Sequence, residues 1–267
     1  MSNEEKGITP IDIGGGEMVS HEAMGDILGG TTGQAATPMD ALSVYNQGKE
    51  DYWSFGEDEK VESVLGIFLY SGRPLRAFWH PDKEMDGSAP TCFSLNGTSP
   101  EPNSEQAEND TCAGCPWDKL GTAKVGKGKA CKAKAADFIV EVPNNVEIGE
   151  DGKAYVDPDR ILGPAVMRYS IANSVAPKAF SDYLKKAKEV GAYPAPQAVL
   201  GRWTFQSSKS KSGVKYSAVK LEVVAPLPGP QDDPSLWAMI MRETKRLKEG
   251  AAAEILMILS GGVSDPG

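Results

Sequence analysis

The chain has 267 residues, of which 40% are hydrophobic and 24% are charged, a composition typical of a soluble globular protein. No apolar run approaches the roughly 18 residues of a membrane-spanning helix. The N-terminal "MSNEEKGITP" lacks the basic and apolar regions of a signal peptide. These features argue against membrane-spanning and secreted proteins, and we expect a cytoplasmic protein.

The negative charge is concentrated at the N-terminus. Residues 1–64 contain 13 acidic residues and 3 lysines, whereas the remaining residues contain 24 acidic and 25 basic residues. Residues 1–60 also contain glycine clusters and few large apolar side chains, which predicts an acidic, largely disordered arm. One short helix is predicted in "SHEAMGDIL", with Ser20 as its N-cap. The arm is either a solvated tail or a nucleic-acid mimic that occupies the protein's own basic groove or recruits partner proteins.

Order is predicted to begin near Val61. The stretch "SVLGIFLYSGRPLRAFWHPD" predicts two strands, Val64–Tyr70 and Leu75–Trp79, joined by a tight turn at "SGRP". Residues 83–134 are rich in Pro, Gly, Asn and Ser, and they are too many for a structureless loop inside a compact domain. We therefore expect an insertion that is held together by something other than apolar burial.

Regular structure is predicted to resume after this insertion. "DFIVEVP", from Asp137, and "GPAVMRYSI" predict strands on either side of a hairpin that turns at residues 150–152. Apolar residues at three- and four-residue intervals predict a helix over Pro177–Val190. "QAVLGRWTFQSS" and "VKYSAVKLEVVAPL" predict two long strands joined by a lysine-rich turn. A C-terminal helix is expected with Asp233 as N-cap, interrupted at Gly250.

The order of these elements does not alternate strand and helix, which favours a closed antiparallel barrel over a parallel sheet. The predicted fold class is therefore mainly β with minor α. We expect a barrel over residues 61–230, which includes the insertion at 83–134 and one internal helix. Residues 231–267 are expected to form a C-terminal helical tail.

The four cysteines have the spacing C-x19-C-x2-C-x15-C, and the "CAGC" pair lets two sulfurs reach one tetrahedral ion at about 2.3 Å. Cys92, Cys112, Cys115 and Cys131 thus form a complete four-thiolate set, which predicts a structural Zn²⁺ site that staples the insertion. An iron–sulfur cluster uses the same ligands and stays an alternative. His80 is a substitute ligand if one cysteine lies outside the site. A thioredoxin-type redox motif does not fit, because "CAGC" does not follow a strand and open a helix.

Lysines in and beside the insertion are interleaved with glycine, as in "GKGKACK", which lets the backbone approach a phosphate closely. Aromatic and basic residues share the predicted strands, and bases of a single-stranded nucleic acid can stack on such aromatic rings. The competing interpretation is a solvated charge run and core aromatic residues. The candidate nucleic-acid-binding residues are Lys119, Lys124, Lys127, Lys129, Lys132, Lys134, Arg73, Arg76, Trp79, Tyr70, Arg168, Tyr169, Arg202, Trp203, Lys209, Lys211 and Lys215.

The motifs "TCFSLNGTSP", "CAGCPW" and "GKGKACKAKAADFIVEV", followed by "VMRYSIANSVAPKAFSDYLKKAKEVGAYPAPQAVLGRWTF" and "KYSAVKLEVV", resemble the single-stranded DNA-binding proteins encoded by tailed bacteriophages. The resemblance covers residues 62–225. It implies an oligonucleotide/oligosaccharide-binding (OB) barrel interrupted by a zinc-stapled insertion, and a role in phage DNA replication or recombination within a bacterial host cell. The chain departs from the family at "KAKAAD", where arginines are expected, and at "SDPG", where many members have an acidic tail.

The predicted function is sequence-independent coating of single-stranded DNA by a protein that is not an enzyme. Replication or recombination proteins are expected as further partners, with a homo-oligomer on DNA and no membrane partner. One alternative is a metal-dependent nuclease, for which Asp82, Glu84 and Asp86 offer a local carboxylate cluster in what resembles a solvated loop. The other is a zinc-stabilised adaptor or inhibitor that binds a host protein through its acidic arm.

Overall fold

Within the residues described by the computed structural model, the protein is mainly β. The described residues are 11–12, 18–19, 42–47, 51–55, 59–80, 90–102, 104–124, 128–171, 175–191, 193–209, 213 and 215–252. The short helix predicted in "SHEAMGDIL" lies outside them.

The strands, in chain order, are β1 (Ile11–Asp12), β2 (Met18–Val19), β3 (Ser43–Gln47), β4 (Trp53–Phe55), β5 (Glu59–Val61), β6 (Val64–Phe78), β7 (Cys92–Ser94), β8 (Lys132–Glu141), β9 (Glu147–Ile148), β10 (Ala154–Tyr155), β11 (Gly163–Ser170), β12 (Val199–Lys209) and β13 (Lys215–Pro226). The α-helices are α1 (Val175–Val190) and α2 (Pro234–Arg246). Short 3-10 turns occur at Pro116–Asp118, Pro158–Arg160 and Pro196–Ala198, and a π-helical turn at Leu247–Ala251.

One sheet contains nine of the described strands. Its order is β13-β12-β6-β8-β11-β3-β4-β5, and β7 pairs with the second half of β6. The pairs are antiparallel except for β11 and β3, which are parallel. Two small ribbons, β1–β2 and β9–β10, are separate from this sheet.

The large sheet curls so that its two ends approach each other. Trp53 Nε1 in β4 donates a hydrogen bond to the Trp203 carbonyl in β12 at 3.1 Å. Gln47 Nε2 in β3 donates to the Ser217 carbonyl in β13 at 3.2 Å. In the described part of the chain, no backbone ladder joins β5 to β13. The sheet is therefore a curled half-barrel, rather than the closed barrel expected from the element order.

Both faces of the sheet are covered, because side chains of β6 and β8 alternate between two apolar cores. One core includes the odd-numbered residues of β6 and the apolar side of α2: Leu65, Ile67, Leu69, Phe138, Val140, Leu236 and Ile240. The other includes the even-numbered residues of β6 and the buried side of α1: Val64, Phe68, Ala135, Ile139, Tyr183, Trp53 and Trp203.

Strand β6 is continuous, which corrects the prediction of two strands and a turn at "SGRP". It pairs with β8 on both sides of this sequence, with register shifts between Phe68 and Tyr70 and between Gly72 and Leu75. The glycine and proline therefore produce irregularities in one long strand instead of a hairpin. Composition marked the irregular position but could not show that the partner strand continues past it.

Strands β3 and β4 lie inside the stretch predicted to be a disordered arm. Tyr45 is 5% exposed and Trp53 is fully buried, so both belong to the core. The ordered sheet thus begins before Val61, where the prediction placed its start. The error has a physical reason: these strands are stabilised by β11 and by the distant β12, not by apolar residues nearby in the sequence.

The elements after the insertion agree well with the sequence. The β9–β10 hairpin, β11, α1, β12 and β13 were all predicted, although β8 begins at Lys132, earlier than expected. The Asp233 side chain caps α2 by accepting a hydrogen bond from the Leu236 amide at 3.0 Å. Gly250 interrupts the C-terminal helix with a φ of 115°, a conformation that glycine adopts without strain.

A buried carboxylate connects four strands inside the curl. Asp137 in β8 is fully buried and accepts hydrogen bonds from Ser71 Oγ in β6 at 2.6 Å and from Tyr169 Oη in β11 at 2.6 Å. The Trp203 Nε1 group in β12 donates a third, at 3.1 Å. Buried polar groups need such partners, and Asp137 therefore fixes β8 against three other strands.

Asp137→Ala is expected to lower the free energy of unfolding by about 3–5 kcal/mol, because it removes the shared acceptor of three hydrogen bonds, two of which are buried. Asp137→Asn is the matched control: it keeps the shape and an acceptor oxygen, and should cost only about 1–2 kcal/mol. Urea unfolding of both variants measures the difference. Equal losses for the two variants would show that the hydrogen bonds contribute little.

Candidate functional site: a cysteine cavity and a cationic face

The four cysteines line one small cavity. Cys92, Cys112, Cys115 and Cys131 surround a space of about 20 Å³. All four are free thiols and each is half-buried. The structure thus brings together the complete set of sulfurs that the sequence singled out.

Local structure explains how the sulfurs meet. Cys92 is the first residue of β7, and Cys131 immediately precedes β8. Between them, Gly114 has a φ of 80° and makes a tight turn, in which the Cys115 amide donates to the Cys112 carbonyl at 3.4 Å. Two neighbouring strand ends and one glycine turn therefore deliver all four side chains to one place.

An aromatic stack joins the insertion to the sheet. The Trp117 ring lies parallel to Phe78 of β6, with centroids 4.8 Å apart and an interplanar angle of 20°. His80 meets Trp117 edge-on at 5.8 Å. His80 belongs to this stack and is not among the described residues that line the cavity, which gives no support to its predicted role as a substitute ligand.

The cavity disfavours free thiolates. Burial raises the pKa of the Cys92 thiol, a hydrogen bond with Ser104 opposes this shift, and the neighbouring Cys112 and Cys115 sulfurs add to it. Burial also raises the pKa of the Cys131 thiol to about 11, although the Arg76 guanidinium opposes the change. The thiols of Cys92 and Cys131 therefore stay protonated unless a cation compensates their charge.

The chemistry of the cavity fits a metal–thiolate centre. Arg76 and Trp117 line the cavity, and their buried N–H donors, Arg76 Nε and Trp117 Nε1, have no acceptor in the described part of the chain. An ionised sulfur is a stronger acceptor than a thiol, so metal-bound thiolates would satisfy both donors. Among the described residues, no group of three or more His, Cys, Asp or Glu side chains is arranged to hold an ion. The cysteines share a cavity without forming a closed coordination shell.

Two predicted phosphate contacts, Arg76 and Lys129, bind one carboxylate instead. Asp118 Oδ1 is 2.8 Å from Arg76 Nη1 and 3.0 Å from Lys129 Nζ. Burial would raise the pKa of Asp118, but the hydrogen bonds from Lys129 and Arg76 outweigh it and lower the pKa below its usual range. The Cys131 sulfur also lies close to the Arg76 guanidinium. Arg76 therefore belongs to the cavity wall, and its contact with nucleic acid stays a prediction.

A second feature lies beside the cavity, and we call Trp79, Lys132, Lys134 and Arg168 the cationic face. Strand alternation and pairing place Lys132, Lys134 and Arg168 on the same side of β8 and β11. The Lys134 ammonium lies 5.1 Å from the centroid of the Trp79 ring. The sheet thus gathers an aromatic ring and three cations from segments that are distant in the sequence.

Lys134 and Arg168 are partly buried. Burial lowers the pKa of both groups, and the nearby Arg168 lowers that of Lys134 further. Within the described residues, neither cation has a carboxylate partner. Desolvated cations that repel each other are unfavourable unless an anion joins them. This arrangement is suited to binding a negatively charged ligand.

Three aromatic residues that were predicted to contact nucleic acid lie in or against the apolar cores. Tyr169 is 2% exposed and Trp203 is fully buried, and both donate to Asp137 inside the curl. They are core residues, which corrects their predicted role in base stacking. Tyr70 is half-buried and lies 5.9 Å from Phe138, centroid to centroid, at the edge of the other core.

The remaining predicted contacts are spread over the surface or lie outside the described residues. Lys119 and Lys124 are exposed on the insertion, and Arg202 is half-buried in β12. Lys209 and Lys215 are exposed and paired in register where β12 ends and β13 begins, at the turn end of the hairpin. Outside the described part are Lys127, Lys211, Asp82, Glu84, Asp86 and the side chain of Arg73.

Sequence reasoning assigned no role to Asp118 or to the indole N–H of Trp117. An acid and a tryptophan within "CPWDK", directly after the cysteine pair, were the available indication that the pair has polar partners. The partners themselves come from β6, and local spacing could not identify them. The isolated acid at the start of "DFIVEV" likewise indicated a buried polar contact at Asp137.

Comparison of the chain with protein families, with curated proteins and with solved structures finds no match. Among the described residues, no helix is long and apolar enough to cross a membrane. The function is therefore inferred from the cysteine cavity and the cationic face themselves.

Lys134→Met is expected to raise the free energy of unfolding by about 0.5–1 kcal/mol, because it removes a partly buried charge that is repelled by Arg168 and has no carboxylate partner among the described residues. The control is Lys186→Met on α1, where the lysine is exposed and lies near Glu189; its effect should be near zero. Thermal unfolding in low salt measures both. A clear loss of stability in Lys134→Met would mean that the ammonium contributes to the fold, through Trp79 for example.

Proposed function

We propose that this chain is a non-enzymatic protein that binds single-stranded DNA with little sequence preference through the cationic face. The observation that carries the proposal is a pair of partly buried cations beside Trp79, Lys134 and Arg168, for which the described residues supply no carboxylate partner. A phosphate group placed between them would supply the missing counter-charge. Such a contact reads the backbone and not the base, which fits sequence-independent binding.

The aromatic ring beside the cations favours a single strand over a duplex. In a single strand, a base can leave its neighbours and stack on a protein side chain, which contributes about 1–3 kcal/mol for each stacked base. In a duplex the bases are already stacked within the helix. Trp79 is half-buried and lies next to Lys134, so a base and its adjacent phosphate could be bound together. Lys132, Lys119 and Lys124 are exposed and precede Lys134 in the sequence, and they would add phosphate contacts.

We infer that the curled half-barrel is an OB-like barrel, and that Cys92, Cys112, Cys115 and Cys131 bind one Zn²⁺ ion. Support comes from the curled, mainly antiparallel sheet and from four thiols that share a cavity with two unpartnered N–H donors. The ion would be structural: it would cross-link the start of β7, the glycine turn and the start of β8. An insertion with few apolar residues would gain its stability in this way.

The resemblance of the cysteine and strand motifs to phage single-stranded DNA-binding proteins supports a role in phage DNA replication or recombination. In that setting, replication or recombination proteins and further copies of the chain on DNA are the proposed partners. The exposed lysines at the end of the β12–β13 hairpin, Lys209 and Lys215, would extend the path of the strand.

The affinity for oligothymidylate is expected to fall steeply as salt rises, because binding releases counter-ions from the DNA. Removing both cations in the double variant Lys134→Met, Arg168→Met should weaken binding and lower the slope of log K against log salt by about 0.7 for each lost phosphate contact. Fluorescence anisotropy at several salt concentrations measures both quantities, and Lys186→Met provides the control. An affinity that does not depend on salt, or a double variant that binds like the wild type, would contradict the proposal.

A further inference from the structure

Two buried N–H groups at the cysteine cavity have no acceptor among the described residues. They are Arg76 Nε, from β6, and Trp117 Nε1, from the 3-10 turn that follows Cys115. Leaving a buried donor unsatisfied costs about 1–3 kcal/mol, so two such groups around one cavity need an explanation.

Both side chains are held firmly by other contacts. Arg76 Nη1 forms the 2.8 Å ion pair with Asp118, and the Cys131 sulfur lies close to its guanidinium. The Trp117 ring is stacked on Phe78 at 4.8 Å. Because these contacts hold both side chains in place, neither N–H group can readily reorient toward water. The hydrogen-bond acceptor must therefore lie within the cavity.

Sulfur of a metal-bound cysteine is the acceptor that the cavity can supply. Four thiolates around a divalent cation leave a net negative charge on the sulfurs, and N–H donors stabilise that charge. Arginine suits this position because its planar fork lets one N–H bind Asp118 while another faces a sulfur.

We propose that Arg76 and Trp117 are positioning residues of a metal–thiolate centre, which donate N–H···S hydrogen bonds to the sulfurs of Cys92, Cys112, Cys115 or Cys131. The inference rests on the metal site of the proposed function and adds the groups that surround it. Residues that hydrogen-bond metal ligands typically contribute 10–100-fold to metal affinity. The two side chains would therefore set how tightly the ion is held, without contacting it.

The test is a titration of the reduced, metal-free full-length chain with Co²⁺, followed by displacement with Zn²⁺. Cobalt bound to thiolates gives charge-transfer absorption, which reports on the sulfurs directly. Trp117→Phe keeps an aromatic ring against Phe78 and removes the N–H group together with the five-membered ring of the indole. Arg76→Met keeps an extended side chain and removes the donors. Arg242→Met, in which an exposed arginine of α2 loses its contact with Glu243, is the matched control.

We expect wild type and Arg242→Met to bind one Co²⁺ per chain with the same affinity and the same thiolate bands. Arg76→Met should bind about 10–100-fold more weakly and Trp117→Phe about 10-fold more weakly, with shifted bands. Circular dichroism spectra that match the wild type would exclude loss of the fold as the cause.

The outcomes separate this inference from the proposed function. A wild-type chain without cobalt–thiolate bands would overturn the metal centre and the role of both residues, whatever the affinity for DNA. Variants that bind cobalt like the wild type would overturn the role of Arg76 and Trp117 alone, and would leave the metal centre standing.

Discussion

The hydrogen bonds to the buried carboxylate of Asp137 fix strand β8, and both parts of the candidate site depend on where β8 lies. Donors from β6, β11 and β12 converge on this one side chain inside the curl. β8 begins directly after Cys131. Its first residues include Lys132 and Lys134, which pair with Ala77 and Leu75 of β6. A strand held in this way places a cavity sulfur and two cations at fixed positions on the same end of the sheet.

Strand β6 makes the second connection between the sheet and the insertion. Arg76 forms an ion pair with Asp118, and Phe78 stacks on Trp117. Among the described residues, the short pairing of β7 with β6 and the hydrogen bond from the His80 amide to Thr91 Oγ1 also attach the insertion. The insertion is poor in apolar residues, so a metal ion at the four sulfurs would add to its stability.

Features with a short-range cause could be predicted from the sequence, and features set by distant contacts could not. The helix α1, the hairpin of β12 and β13 and the cap at Asp233 follow from spacing and capping, and the structure confirms them. The burial of Trp203 and Tyr169 was missed because an aromatic residue in a strand does not reveal which face of a curled sheet is inside. β3 and β4 were missed for a related reason, since they are stabilised by strands more than a hundred residues away.

The most direct test of the central claim, that single-stranded DNA lies on the cationic face, is ultraviolet cross-linking of oligothymidylate followed by mass spectrometry of the cross-linked peptides. The account predicts that cross-links concentrate at Trp79 and in the peptides containing Lys134 and Arg168. Cross-links confined to exposed aromatic residues elsewhere, such as Tyr155 of β10, with none at Trp79, would contradict it.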